Sequence, residues 1–98
     1  MARNQVVISG ELIVREEVRF TPAGIASVAL TLRHASEQSE AGESRQVQCN
    51  IDAVAFAEAA RKVAGFSTGQ TVRVKGFLAQ RSLRNRQLVL HVNDIILE

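Results

Sequence analysis

Residues 46–65 read QVQCNIDAVAFAEAARKVAG, and within this stretch the apolar spacing changes once. Val47, Cys49 and Ile51 alternate with Gln46, Gln48 and Asn50, the period of two expected of a strand with one covered face. From Asp52 onward the spacing is helical. Phe56, Ala60 and Val63 fall on one stripe, Asp52 stands where it can cap the N-terminus, and Gly65 where it can end the helix. The sequence therefore predicts one strand feeding one short helix near the middle of the 98-residue chain.

Working back toward the N-terminus, Val28, Leu30 and Leu32 alternate with Ser27, Ala29, Thr31 and Arg33, which predicts a second strand with a single apolar face. The polar stretch Glu37 to Glu43 between these two strands reads as a loop. Thr21-Pro22-Ala23-Gly24 is a turn signal, and before it Gln5 to Val18 reads as a long first strand bent at Gly10. Working forward, Thr71 to Gln80 alternates through Val72, Val74 and Leu78 with another bend at Gly76, and Leu88 to Leu97 supplies the last strand. The order is three strands, one helix, two strands. Five strands with a single helix between the third and fourth, and glycines where strands must curl, match an all-β, five-stranded oligonucleotide-binding (OB) barrel over residues 1–98 as one domain.

Composition bounds what such a barrel can do. A chain of 98 residues with 46% hydrophobic content builds one core and no second domain. The single cysteine, Cys49, excludes an intrachain disulfide and is consistent with a reducing cytoplasm. The apolar run Val6-Val7-Ile8 is too short for a signal segment or membrane span. The net charge of +2 is unevenly distributed. Between residues 59 and 93, Arg61, Lys62, Arg73, Lys75, Arg81, Arg84 and Arg86 occur with no Asp or Glu, whereas residues 1–58 are net acidic. Basic charge sorted in this way raises the local potential for a polyanion; an ordinary solvated face is the alternative.

In an OB barrel the ligand crosses strands two and three and the loops beside them. The outward residues there are Thr31, Arg33, Gln46, Gln48 and Asn50, and the connection after strand four is the basic run RSLRNRQ, Arg81 to Gln87. Amides beside guanidinium groups suit a phosphate backbone, because Arg makes bidentate contacts to phosphate and offers a flat surface to bases. Aromatic residues are scarce, with four Phe and no Trp or Tyr. Phe56 and Phe66 read as core, leaving Phe20 and Phe77 as candidates for base stacking.

No catalytic pattern survives. Gly65 to Thr71 is one residue short of a phosphate-binding loop and has Gln70 in place of its lysine. His34 and His91 are the only imidazoles and Cys49 has no second cysteine, so neither a metal site nor a cofactor is expected. Cys49, on the apolar parity of its strand, is expected to be buried and inert. The chain reads as a binding protein and not as an enzyme.

Four stretches carry a family resemblance: Ile8-Ser9-Gly10; Pro22-Ala23-Gly24-Ile25 leading to Leu32-Arg33-His34; Glu40-Ala41-Gly42 through Arg45-Gln46-Val47-Gln48-Cys49; and Lys75-Gly76-Phe77 with Leu90-His91. Together they resemble the primosomal replication protein N (PriB) family, nearly end to end. The resemblance implies a bacterial, homodimeric OB protein that binds single-stranded DNA and joins the PriA helicase and other primosome proteins in replication restart, and a cytoplasmic location is expected from the single cysteine. Its implied DNA contacts are Arg19, Arg33 and His34, Gln48, and Arg81, Arg84 and Arg86; Gln46 and Lys75, within the quoted stretches, complete the candidate set. Gln48 stands where better-known members carry an aromatic residue, and the basic loop is shorter than theirs and uses arginine for lysine. Two alternatives remain open: a primosome interaction adaptor with weak incidental nucleic-acid binding, and a single-stranded-DNA-binding protein lacking the usual acidic tail. A homodimer is also expected from the first strand, whose Val7 and Ile13 lie on the parity opposite Val6, Ile8, Leu12 and Val14, so that the face not used by the core needs cover.

Overall fold

Strand pairing closes on itself in the structure, a computed structural model describing residues 1–98. The elements are β1 (Val6–Arg15), β2 (Arg19–Phe20), β3 (Ala26–Glu40), β4 (Glu43–Phe56), α1 (Glu58–Ala64), β5 (Thr71–Gln80) and β6 (Leu88–Leu97). Neighbours run β1-β5-β6-β4-β3-β2, and a further β1–β3 pairing joins the ends, so β1, β3, β4, β5 and β6 form a five-stranded barrel. Only β4 and β6 run parallel. This is the expected all-β OB architecture, with the single helix between the third and fourth long strands of the barrel.

The inward residues of each strand form the core: Leu12 of β1, Val28, Leu30 and Leu32 of β3, Ala53 and Ala55 of β4, Val72 and Val74 of β5, and Leu90, Val92 and Ile95 of β6. Helix α1 adds Ala59, Ala60 and Val63, closing the end of the barrel where β4 stops and β5 starts. Two glycines permit the curvature. A Cβ on Gly10 would lie 2.8 Å from the Arg33 carbonyl oxygen, where β1 crosses β3, and one on Gly76 would lie 1.9 Å from that of His91. Gly76 sits at the irregularity that bends β5 over β6, a place where only a residue without a side chain fits.

Three expected boundaries are corrected. The stretch Glu37 to Glu43 is not a loop: β3 and β4 continue through it as a two-stranded ribbon, turning over Ala41 and Gly42 alone, with φ of 54° and 78°. Positive φ at both central residues is the geometry of a tight hairpin, whose twist matches that of the strands. Beyond the barrel the ribbon covers no core, so it is polar on both faces and tied by Arg45 to Glu40 at 3.1 Å and by Ser44 to Glu37. Asp52 caps no helix. Residues 52–56 continue β4 in register with Thr31 to Ser27, and α1 begins only after Ala57, whose φ is 55° and which makes no side-chain cap. The first strand ends at Arg15, and the next pairing, Arg19 with Ser27 and Phe20 with Ala26, belongs to the separate β2.

A candidate nucleic-acid interface

Register determines which side chains share the outer face of the barrel. Across β2, β3 and β4, Arg19 is paired with Ser27 and Ser27 with Phe56. Further along β3 and β4, Thr31 stands opposite Asp52, Arg33 opposite Asn50, Ala35 opposite Gln48 and Glu37 opposite Gln46. Side chains of paired residues point the same way and alternate along a strand, so Arg19, Arg33, Gln46 and Gln48 line one continuous face. All four are exposed.

Arg81 joins this face through an acid. Its Nη2 lies 3.2 Å from Oδ2 of Asp52, while Thr31 donates to Oδ1 at 3.3 Å. With side chains 43% and 60% exposed, the pair contributes little stability, but it seats the base of the basic loop on the sheet. The run from residue 59 to 93 contains no acid, yet Arg81 is neutralised, because Asp52 is its neighbour across the sheet and not along the chain. Arg84 and Arg86 are exposed and take part in no ion pair. The loop is ordered by its own side chains: Ser82 Oγ accepts from the Asn85 amide at 3.1 Å, Asn85 Oδ1 from the Gln87 amide at 3.0 Å, and Gln80 donates to the Ser82 carbonyl at 3.1 Å.

His34 and Lys75 lie elsewhere. His34 follows Leu32 on the inward parity of β3 and is half-buried, with Nδ1 2.7 Å from the Ser9 carbonyl oxygen and Nε2 2.7 Å from Ser36 Oγ. The carbonyl can only accept, so Nδ1 donates to it and the ring is held in place between β1 and β3. Lys75 points outward but stands between Val7 and Asp94 on β5, which is separated from β3 by β1 on one side and by β6 and β4 on the other. There it lines a shallow cleft of about 180 Å³ with Val7, Arg73, Asp94 and Ile96.

Two buried expectations are also corrected, and one exposes a group that sequence reasoning missed. Cys49 has the apolar parity but lies past the barrel, opposite His34, and is exposed. Phe56 is not core, because β4 continues through it and parity turns it outward, 41% exposed. There it stacks on His91, ring centroids 5.9 Å apart at 27°, and His91 stacks in turn on Phe77 at 4.9 Å and 13°. Val54, His91 and Phe77 are in register across β4, β6 and β5, so this three-ring platform continues the face that bears Arg19 and Asp52. The parity of Phe77 against Val74 and Leu78 was its one signal in the sequence. Phe66 packs partly buried against the core as expected, while Phe20 is exposed on the side of β2 opposite Arg19.

Two charge pairs lie on the far flank, Arg73 with Glu98 at 3.1 Å and Lys62 with Asp94. Lys62 Nζ is 2.8 Å from Asp94 Oδ1, and this hydrogen bond, reinforced for Asp94 by the Ile95 amide, holds the carboxyl below its ordinary value and Lys62 above its own. No cluster of three or more His, Cys, Asp or Glu is arranged to hold a metal, and no helix is long and apolar enough to cross a membrane.

Known proteins share this fold. The family model described as "Another single-strand binding protein family" matches residues 4–94. A replication restart protein PriB from Nitrosomonas europaea is 41% identical over 92 residues, covering 94% of this chain and 85% of its own. The chain belongs to the PriB family. Among solved structures, PriB from Ralstonia solanacearum superposes with a TM-score of 0.89 at 30% identity, covering 99% of both chains. The wild-type single-stranded DNA binding protein of Thermus aquaticus, at 24% identity, shares the fold, with a TM-score of 0.77 over 98% of this chain and 50% of its own.

Proposed function

We propose that the protein binds single-stranded DNA across the outer face of β3 and β4 and serves replication restart as a non-catalytic assembly factor that stimulates the PriA helicase. The observation that carries the reading is the continuity of that face: Arg19, Arg33, Gln46 and Gln48, the Phe56–His91–Phe77 platform, and the ordered loop with Arg84 and Arg86. Arginines and amides suit phosphates, and stacked rings suit unpaired bases. PriA and the other primosome proteins enter through membership of the PriB family, as does a cytoplasmic location. His34 and Lys75 stay in the candidate set only as secondary contacts, since neither shares the main face.

The working form is a homodimer. Val7 and Ile96, apolar and exposed, stand on the β1–β5–β6 flank around Lys75 and Asp94, beyond the Phe77 edge of the ring platform, and pairing of two such flanks would cover them.

Fluorescence anisotropy with a labelled single strand and a duplex of equal length, at two salt concentrations, tests the reading. Preference for the single strand, weakening as salt rises, is expected. Equal and negligible binding of both strands refutes it and leaves the chain as a protein adaptor. Unwinding of forked DNA by PriA, with and without the protein, tests the helicase step.

A further inference from the structure

Helix α1 closes one end of the barrel, but at the other end, where β5 stops and β6 begins, no element covers the inward residues. Leu78 and Leu88, 38% and 60% exposed, stand there with Ile51 and the buried Leu90 around a cleft of about 310 Å³. The rim is polar and consists of Asn50, Asp52, Arg81 and Gln87. Ligand pockets run from roughly 300 to 1,000 Å³, so this one suits a group about the size of a single heterocycle.

The rim discriminates among occupants. Arg81 is already matched by Asp52 at 3.2 Å, and the carboxylate repels a phosphate at the mouth. The Asn50 and Gln87 amides offer both donors and acceptors, which fits the edge of an uncharged heterocycle, and the aliphatic walls fit its faces. Arg84 and Arg86, on the loop that leaves the rim, are free to hold phosphates outside. Asn50 also lies beside Arg33 on the main face, so a strand crossing that face passes the opening. We infer that the cleft takes one nucleobase turned out of a bound single strand, its sugar–phosphate remaining on the loop arginines. The inference rests on the single-strand reading above and adds a base subsite distinct from the aromatic platform.

The test titrates the full chain, Leu88→Ser and Leu83→Ser with labelled oligothymidylate and with a fully abasic strand of equal length, at two salt concentrations. Both leucines are exposed, so the barrel tolerates either change; Leu83 is fully exposed and lines no part of the cleft. The parent is expected to prefer thymidylate. Leu88→Ser is expected to cut that preference about three- to tenfold, the scale of a modest apolar burial, with the salt slope unchanged, and Leu83→Ser to leave it intact. If Leu88→Ser keeps the preference, bases are read elsewhere, the cleft is left for another occupant such as an apolar peptide side chain, and the inference fails while the single-strand reading stands. Equal loss for both strands overturns it as well. A parent that binds neither strand overturns the single-strand reading and this one together.

Discussion

Replacing Arg84 and Arg86 with alanine tests the electrostatic half of the interface, because the structure separates these two arginines from Arg81. Each single-strand phosphate neutralised contributes about −0.7 to the slope of log affinity against log salt. Two unpaired guanidinium groups therefore carry up to about 1.4 units of slope, and between 50 and 200 mM salt their removal makes the loss of affinity smaller by up to about sevenfold. Arg81 should count for less, since it must leave Asp52 at 3.2 Å before it meets a phosphate. Replacing it alone is expected to flatten the slope by under about 0.7. Asp52→Asn is expected to steepen it by freeing Arg81. Anisotropy titrations of one labelled single strand at four or five salt concentrations, with circular dichroism to establish folding, give all the slopes. The reasoning is refuted if Arg81→Ala flattens the slope as much as the Arg84/Arg86 double variant, or if the double variant, still folded, keeps the parent's slope. In the latter case binding moves to Arg19 and Arg33.

Four further outcomes follow from the same geometry. Phe56→Ala or Phe77→Ala opens the stack around His91 and is expected to weaken binding of oligothymidylate by about 1–3 kcal/mol with little change in salt slope; unchanged affinity in both variants would remove the platform from the site. Gly76→Ala forces a Cβ to within 1.9 Å of the His91 carbonyl oxygen, which belongs to backbone and cannot swing away, and should lower unfolding free energy in urea by about 2 kcal/mol or more. For Lys62 and Asp94, the paired state gives a stability advantage over Lys62→Met that is full between the ordinary values of 3.8 and 10.5. It falls as pH drops through Asp94's lowered value and as pH rises through Lys62's raised one, so an advantage independent of pH in urea titrations would refute the pairing. Val7→Asp puts a charge on each of two apposed flanks and is expected to convert a dimer to monomer in sedimentation equilibrium at tens of micromolar, an order of magnitude for routine work; a monomeric parent refutes the dimer.

The barrel was legible where alternation is clean. Val28, Leu30 and Leu32, and then Val72 and Val74, bury every second residue, and those strands lie where their spacing places them. Gly10 and Gly76 were readable as bends for the same reason: each interrupts a β-branched run at a point where another backbone must come close. The ribbon was not legible. Residues 37–40 and 43–46 cover no core and show no apolar face, and the turn that joins them uses Ala41 at positive φ in place of the asparagine or glycine that signals a tight hairpin.

The stretch from Asp52 to Phe56 had the largest consequence for the site. Its sequence, Asp-Ala-Val-Ala-Phe, alternates, but alanine satisfies helix and strand patterns alike, and the decision comes from residues distant in the chain. Ala53 and Ala55 are buried opposite Leu30 and Val28, and that pairing holds the segment extended. As helix, Phe56 would face the core; as strand, it faces out beside His91, and the apparent lack of aromatic residues becomes a three-ring stack. The same extension brings Asp52 onto the face where it meets Arg81, 29 residues later. A count of acids along the basic run cannot find that partner, since a sheet makes neighbours of residues by register. The placement of His34, by contrast, could have been read locally: two residues after Leu32, it shares the inward parity, and parity rather than its proximity to Arg33 determines which face it serves.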